Sequence, residues 1–185
     1  MNPLLSLLIL ACTVSASPAV FGQPLNKLPF ERGVRVQVST AKPAVIKGGD
    51  YDDKQQRISL KVKLSNVDTR QSYENYQATL SAFGQSAVDR KVSKVLMQEK
   101  FAVTLAPLKS IEHECKEVHT RFDKTDAKFG FSYDGWLLVV KDAEGKVVFV
   151  KSTSPSLEKL TDKVDTIVVD SHYNRALEVV NAPAN

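Results

Sequence analysis

Ile58, Leu60, Val62 and Leu64 alternate with Ser59, Lys61, Lys63 and Ser65, the pattern of a strand with one face in a core and the other in water. A one-residue slip in its pairing would carry four aliphatic side chains into solvent, so its register is expected to be firmly set. Val34-Arg35-Val36-Gln37-Val38 alternates in the same way. Further strands are predicted over Tyr76 to Phe83 (closed by Gly84), Val92 to Met97, Phe101 to Leu105 ahead of Pro107, and Phe129 to Lys141. Ile111 to Phe122 fits either a strand or a helix. Gly48-Gly49-Asp50 is a turn cluster, and Asn66-Val67-Asp68 opens a polar loop that ends near Tyr73. Asp142-Ala143-Glu144-Gly145 predicts a hairpin, because Asp opens a type I turn and Gly accepts the left-handed residue after it; Val147 to Val150 is then the return strand. Beyond it, Ser154 can cap a helix, Pro155 suits its first position, and Leu157 and Leu160 recur at i, i+3. Seven to eight short strands with little helix predict an all-β chain folded as an antiparallel sandwich, with a short C-terminal helix and tail.

The amino end breaks this pattern. Leu4 to Ala11 is apolar apart from Ser6, and no charged side chain precedes Lys27. An apolar run of about eight to ten residues is too short for a bilayer, which needs roughly 20. It suits the h-region of a secretory signal, with Val14-Ser15-Ala16 placing small residues at a peptidase site. Cleavage is expected after Ala16, with Gly22 the second choice. Ile9-Leu10-Ala11-Cys12 offers a lipobox instead, in which case Cys12 would carry a lipid and anchor the protein to a membrane leaflet. The expected organisation is a signal over 1–16, an extended leader with Pro18, Pro24 and Pro29 over 17–33, the sandwich over 34–153, and a helix and tail over 154–185.

Composition narrows the partners. The net charge is +4, and no block of five like charges occurs, whereas nucleic-acid binding usually concentrates its basic residues. No nucleic-acid partner is expected. Beyond Cys12, the chain holds one cysteine, Cys115; a lone thiol closes no internal disulfide, so packing must hold the core together.

Candidate chemistry is sparse. His113-Glu114-Cys115-Lys116-Glu117-Val118-His119 contains nitrogen and sulfur donors of the kind zinc takes. On a continuous strand His113, Cys115 and His119 share one face. His113 and Cys115 are then about 7 Å apart, close enough to share an ion, but His113 and His119 are separated by roughly 20 Å. On a helix, Cys115 and His119 would lie one turn apart. The alternative is a strand with a charged outer face and a small thiol tucked against its neighbours. Tyr133, Asp134 and Trp136 could form a sugar-stacking surface, since aromatic rings offer flat apolar faces and a carboxylate accepts hydroxyl protons; a core tryptophan is the competing reading. Asp50-Tyr51-Asp52-Asp53 lacks the glycine and distal glutamate of a calcium loop. Gly84-Gln85-Ser86-Ala87 lacks the second glycine of a nucleophile elbow. The chain is expected to be no enzyme and to need no cofactor.

Tyr133 to Val148, where an aromatic-rich strand runs into Asp142-Ala143-Glu144-Gly145-Lys146, resembles the late hairpin of immunoglobulin-like domains. From Val34 to about Ser152 the chain is similar to small exported immunoglobulin-like β-sandwich proteins of bacterial cell envelopes, including those encoded beside type IV pilus components. The cysteine pair of antibody domains is absent. The resemblance implies an immunoglobulin-like fold and a non-catalytic interaction module, accessory to pilus or surface assembly. Its partner would be an envelope or pilus protein, and its place the periplasm, the outer membrane or the cell surface. It would act as a monomer or weak homo-oligomer, with membrane anchoring only through a lipid on Cys12. A carbohydrate-binding or adhesion module using Tyr133, Asp134 and Trp136 is the first alternative, and a metal-binding protein using His113 and Cys115 the second.

Overall fold

The computed structural model describes residues 27–41, 44–47, 53–123, 129–174 and 178–181. The signal at 1–16, Cys12, most of the leader and the Gly48-Gly49-Asp50 cluster lie outside the described residues. Twelve strands occur among those described, against the seven to eight expected. They are β1 (Val34–Thr40), β2 (Ala44–Lys47), β3 (Asp53–Ile58), β4 (Leu60–Asn66), β5 (Tyr73–Ser86), β6 (Ser93–Leu105), β7 (Ser110–Glu114), β8 (Val118–Asp123), β9 (Phe131–Lys141), β10 (Val147–Ser152), β11 (His172–Tyr173) and β12 (Val179–Val180). Two short helices accompany them, α1 (Phe30–Gly33) and α2 (Pro155–Glu158). Every pairing is antiparallel, and the fold is an all-β, sandwich-like one.

Two of the three sheets are successive lengths of one ribbon. Sheet order β1-β4-β7 continues as β2-β3-β8, with Ser59 standing between β3 and β4 and residues 115–117 between β7 and β8. The breaks are tied together by backbone bonds, Ala41 N–H to Ser59 O at 3.0 Å and Cys115 N–H to Leu60 O at 2.9 Å. The alternation read over Ile58 to Ser65 holds, with Leu60, Val62 and Leu64 each at most 2% exposed. Ile58, however, closes β3 rather than opening β4. The predicted register is set by β1, which pairs with β4 from Val34↔Asn66 to Thr40↔Leu60.

The third sheet runs β10-β9-β5-β6-β11-β12 and is covered on both faces. On one side Leu80, Trp136, Leu138 and Val140 meet Val62 and Leu64 of β4. On the other, Phe83, Leu137 and Val139 are covered by Leu157, Leu160, Val164 and Ile167. This accounts for the run Gly135 to Val140, in which every residue is buried and no alternation survives. The segment after 153 is therefore a strap that closes the second core. Its helix is only four residues long, Pro155–Glu158, and has Pro at the first positions as expected. Each strap side chain fully withdrawn from water contributes about 1.5–3 kcal/mol.

The leader also needs correction at its end. Residues 30–33 form a helical turn, and Phe30 is 3% exposed, packed at 5.6 Å from Tyr73, 5.0 Å from Tyr76 and 6.1 Å from Phe149 between ring centroids. Gly33 lies so close to Tyr73 that a Cβ there would be 1.5 Å from its Oη. The predicted hairpin is present: Gly145, at φ +80°, donates its N–H to Asp142 O at 3.0 Å, and Asp142 Oδ1 accepts the Lys146 N–H at 2.8 Å.

Candidate functional site

The proposed aromatic surface does not assemble. Trp136 is 6% exposed and points into the main core, so neither of its faces can receive a sugar ring. Tyr133 packs against the same core and donates its backbone N–H to Gln56 Oε1 at 2.7 Å; burial pushes its phenol pKa up. Asp134 goes elsewhere. The β5–β9 register shifts between Phe83↔Gly135 and Gly84↔Tyr133, so Asp134 is the extra residue of a bulge and turns away from the face its parity would give it. It lies at the rim of a cleft of about 350 Å³ with Arg90, Lys91, Tyr173 and Asn174, where desolvation raises its carboxyl pKa.

The segment Ile111 to Phe122 is neither one strand nor a helix. β7 ends at Glu114, β8 starts at Val118, and Cys115-Lys116-Glu117 lies between them outside any strand. His119, on β8 opposite Arg57, is not grouped with His113 and Cys115, in keeping with the roughly 20 Å that extended backbone puts between it and His113. His119 pairs instead with Glu117 at 3.2 Å and has a largely exposed side chain. Glu99 of β6 takes its place. His113 Nε2 lies 2.9 Å from Glu99 Oε2, and Glu99 Oε1 accepts the Lys116 N–H at 2.7 Å. The His113 imidazole stacks on Phe101, centroids 4.0 Å apart and rings 12° from parallel.

Cys115 completes a set of three ligand-bearing side chains whose donor atoms all lie within 4.8 Å of one another. Burial, and then the Glu99 carboxylate, push the Cys115 thiol up to about 12, so at neutral pH it holds its proton. His113 and Cys115 were visible in the sequence as donors. Glu99 was not, because it stands in Gln98-Glu99-Lys100 on a neighbouring strand and meets the other two only where two sheets converge.

Ser86 and Asp53 have structural partners. Ser86 is 2% exposed, and its Oγ accepts the N–H groups of Val88 at 3.2 Å and Asp89 at 3.1 Å, which shapes the β5–β6 turn. Asp53 is 8% exposed and paired with Arg121; the rest of its acidic cluster lies outside the described residues. Among the described residues no helix is long and apolar enough to cross a membrane.

No protein-family model matches the chain, and no curated protein matches it in sequence. Among solved structures, a Northeast Structural Genomics Consortium target is similar at 11% identity and a TM-score of 0.35, over 69% of this chain and 92% of that one. A crystal structure from Akkermansia muciniphila is similar at 11% identity and a TM-score of 0.32, over 78% and 87%. A β-glucosidase from Kluyveromyces marxianus is similar at 17% identity and a TM-score of 0.31, over 64% of this chain but 14% of that enzyme. At these values none supplies a family or a function.

Proposed function

We propose that the chain is an exported, non-enzymatic interaction module of the bacterial envelope, an accessory to pilus or surface assembly that works through protein–protein contacts. Export enters this reading from the sequence of residues 1–16. The observation that carries the interaction role is the free edge of the six-stranded sheet. β12 is its last strand among the described residues, and Val179 on it is 71% exposed. The turn leading into β11 exposes Val168 at 61% and Val169 at 41%. An edge strand leaves one row of backbone donors and acceptors open, and an extended segment of a partner can complete it by β-augmentation, with neighbouring apolar side chains supplying contact area.

Ionisable side chains on the opposite sheet support a non-catalytic reading, because they neutralise one another. Lys61 pairs with Glu112 and Glu114, Lys63 with Glu112, and Arg57 with Glu117. The carbohydrate-binding alternative has lost its platform with the burial of Trp136.

The test compares edges. Wild type, Val179→Lys and a control variant at the opposite edge, Lys151→Ala, are used to capture proteins from envelope extracts. The proposal expects a partner retained by wild type and the control and lost with Val179→Lys. Capture that is identical for all three overturns the edge mechanism.

A further inference from the structure

The seam where β6 faces β7 gathers a nitrogen, a sulfur and an oxygen donor onto backbone that is already fixed. Glu99 sits opposite Leu80 in the β5–β6 ladder, His113 opposite Val62 in the β4–β7 ladder, and Cys115 hangs from Leu60 O through its own N–H at 2.9 Å. We propose that Glu99, His113 and Cys115 form a three-ligand site for a borderline divalent transition-metal ion, zinc in particular. This inference stands independently of the edge-strand reading.

The donor set suits the ion. Zinc takes thiolate, imidazole and carboxylate at about 2.0–2.3 Å, and three protein ligands leave a fourth tetrahedral position open. Donor atoms around such an ion sit roughly 3.3–3.8 Å apart, so atoms already within 4.8 Å of one another need only small side-chain rotations. The groups that orient the ligands are in place as well. Phe101 holds the imidazole plane by stacking, and the Lys116 N–H holds one oxygen of Glu99; such supporting contacts set ligand direction and basicity.

Charge and access agree with this assignment. A Glu99 carboxylate and a Cys115 thiolate with a neutral His113 balance a doubly charged cation. Binding replaces the His113–Glu99 hydrogen bond and displaces the thiol proton, which leaves to solvent as the sulfur–metal bond forms. Glu99 and His113 retain 18% and 31% side-chain exposure, and Cys115 lines an open cleft of about 450 Å³ with Thr40, Ser59, Leu60 and Glu114. The open ligand position is thus reachable from water.

The test uses Zn²⁺ and Co²⁺ on the whole mature chain. Cobalt is expected to give a near-ultraviolet thiolate-to-metal band that saturates at one equivalent and disappears when zinc is added. Cys115→Ser abolishes the band. Glu99→Gln and His113→Asn each weaken zinc binding by at least about 10-fold, the loss that changes in the outer shell already cause. His119→Asn, the control, binds as wild type does. Thermal melts of the metal-free variants establish that they fold, and zinc raises the melting temperature of wild type and His119→Asn by more than that of Glu99→Gln or His113→Asn. Absence of saturable binding, or a cobalt band unchanged in both Glu99→Gln and His113→Asn, overturns the site.

Discussion

Thr153 Oγ1 accepts the backbone N–H of Trp136 at 3.0 Å, and it does so through the space where Gly135 lacks a side chain. A Cβ on Gly135 would lie 1.9 Å from that oxygen and 3.2 Å from Leu157 Cδ1. The chain leaves β10 at this point, and the Thr153 N–H returns to Trp136 O at 3.1 Å. The start of the strap is thereby bonded to the strand whose outer face it covers. The requirement for glycine here is one of approach, with space as the limiting quantity.

Gly135→Ala is accordingly expected to destabilise the fold by about 1–3 kcal/mol, the usual cost of forcing an extra carbon into a packed site. Thr153→Ala loses a hydrogen bond and about 1 kcal/mol. Together they should cost less than the sum, because the second change removes the oxygen that the first collides with, and neighbours in contact couple by at least about 0.5 kcal/mol. Urea denaturation of the two single variants and the double variant measures this. Strict additivity would mean that the strap shifts to accommodate the methyl group without touching Thr153.

Leu160 tests whether the strap belongs to the folding unit. It is 2% exposed and packs in the second core with Leu157, Val164 and Ile167. Leu160→Ala should cost about 2–5 kcal/mol in a single cooperative transition that lowers sheet and strap signals together. Ending the chain at residue 153 would uncover Phe83, Leu137 and Val139 and should yield aggregated protein. A truncated chain that stays soluble, with a melting temperature close to that of the full chain, would show the strap to be an attachment.

Half-buried strands were legible because period two is written in their side chains. β4 is the clearest case, and its Leu60, Val62 and Leu64 take the core positions read for them. β3, Asp53-Lys54-Gln55-Gln56-Arg57-Ile58, was missed because only its terminal residues are buried and its polar side chains carry no apolar stripe. β9 misled in the opposite sense. A strand buried on both faces loses its alternation, and a bulge at Asp134 then moved that carboxylate off the face of Trp136. At the metal-ligand cluster, His113 and Cys115 were readable as donors. The distance that keeps His119 from His113 was legible in the spacing of a strand, but the Glu99 that completes the cluster depends on how two sheets meet, which spacing along one segment does not encode.

His172 supplies a pH-dependent prediction on the acid side. It pairs with Lys94 in the β6–β11 register, and its ring lies 5.1 Å from that of Phe131. Desolvation, and then the Lys94 charge, lower its pKa from the ordinary 6.5, while Asp170 opposes them. Below that ordinary value the unfolded chain takes up a proton that the folded chain resists, so this contribution is fully present above pH 6.5 and is lost as pH falls toward the folded value. Wild-type stability in urea should therefore drop between about pH 8 and about pH 5 by more than that of His172→Gln, which cannot titrate. The loss should begin at β11, where few hydrogen bonds hold the strand to β6, and amide exchange at Tyr173 should accelerate before exchange in β5. Parallel stability curves for the two proteins would mean that His172 keeps its ordinary affinity for protons and that the β6–β11 contact is open to water.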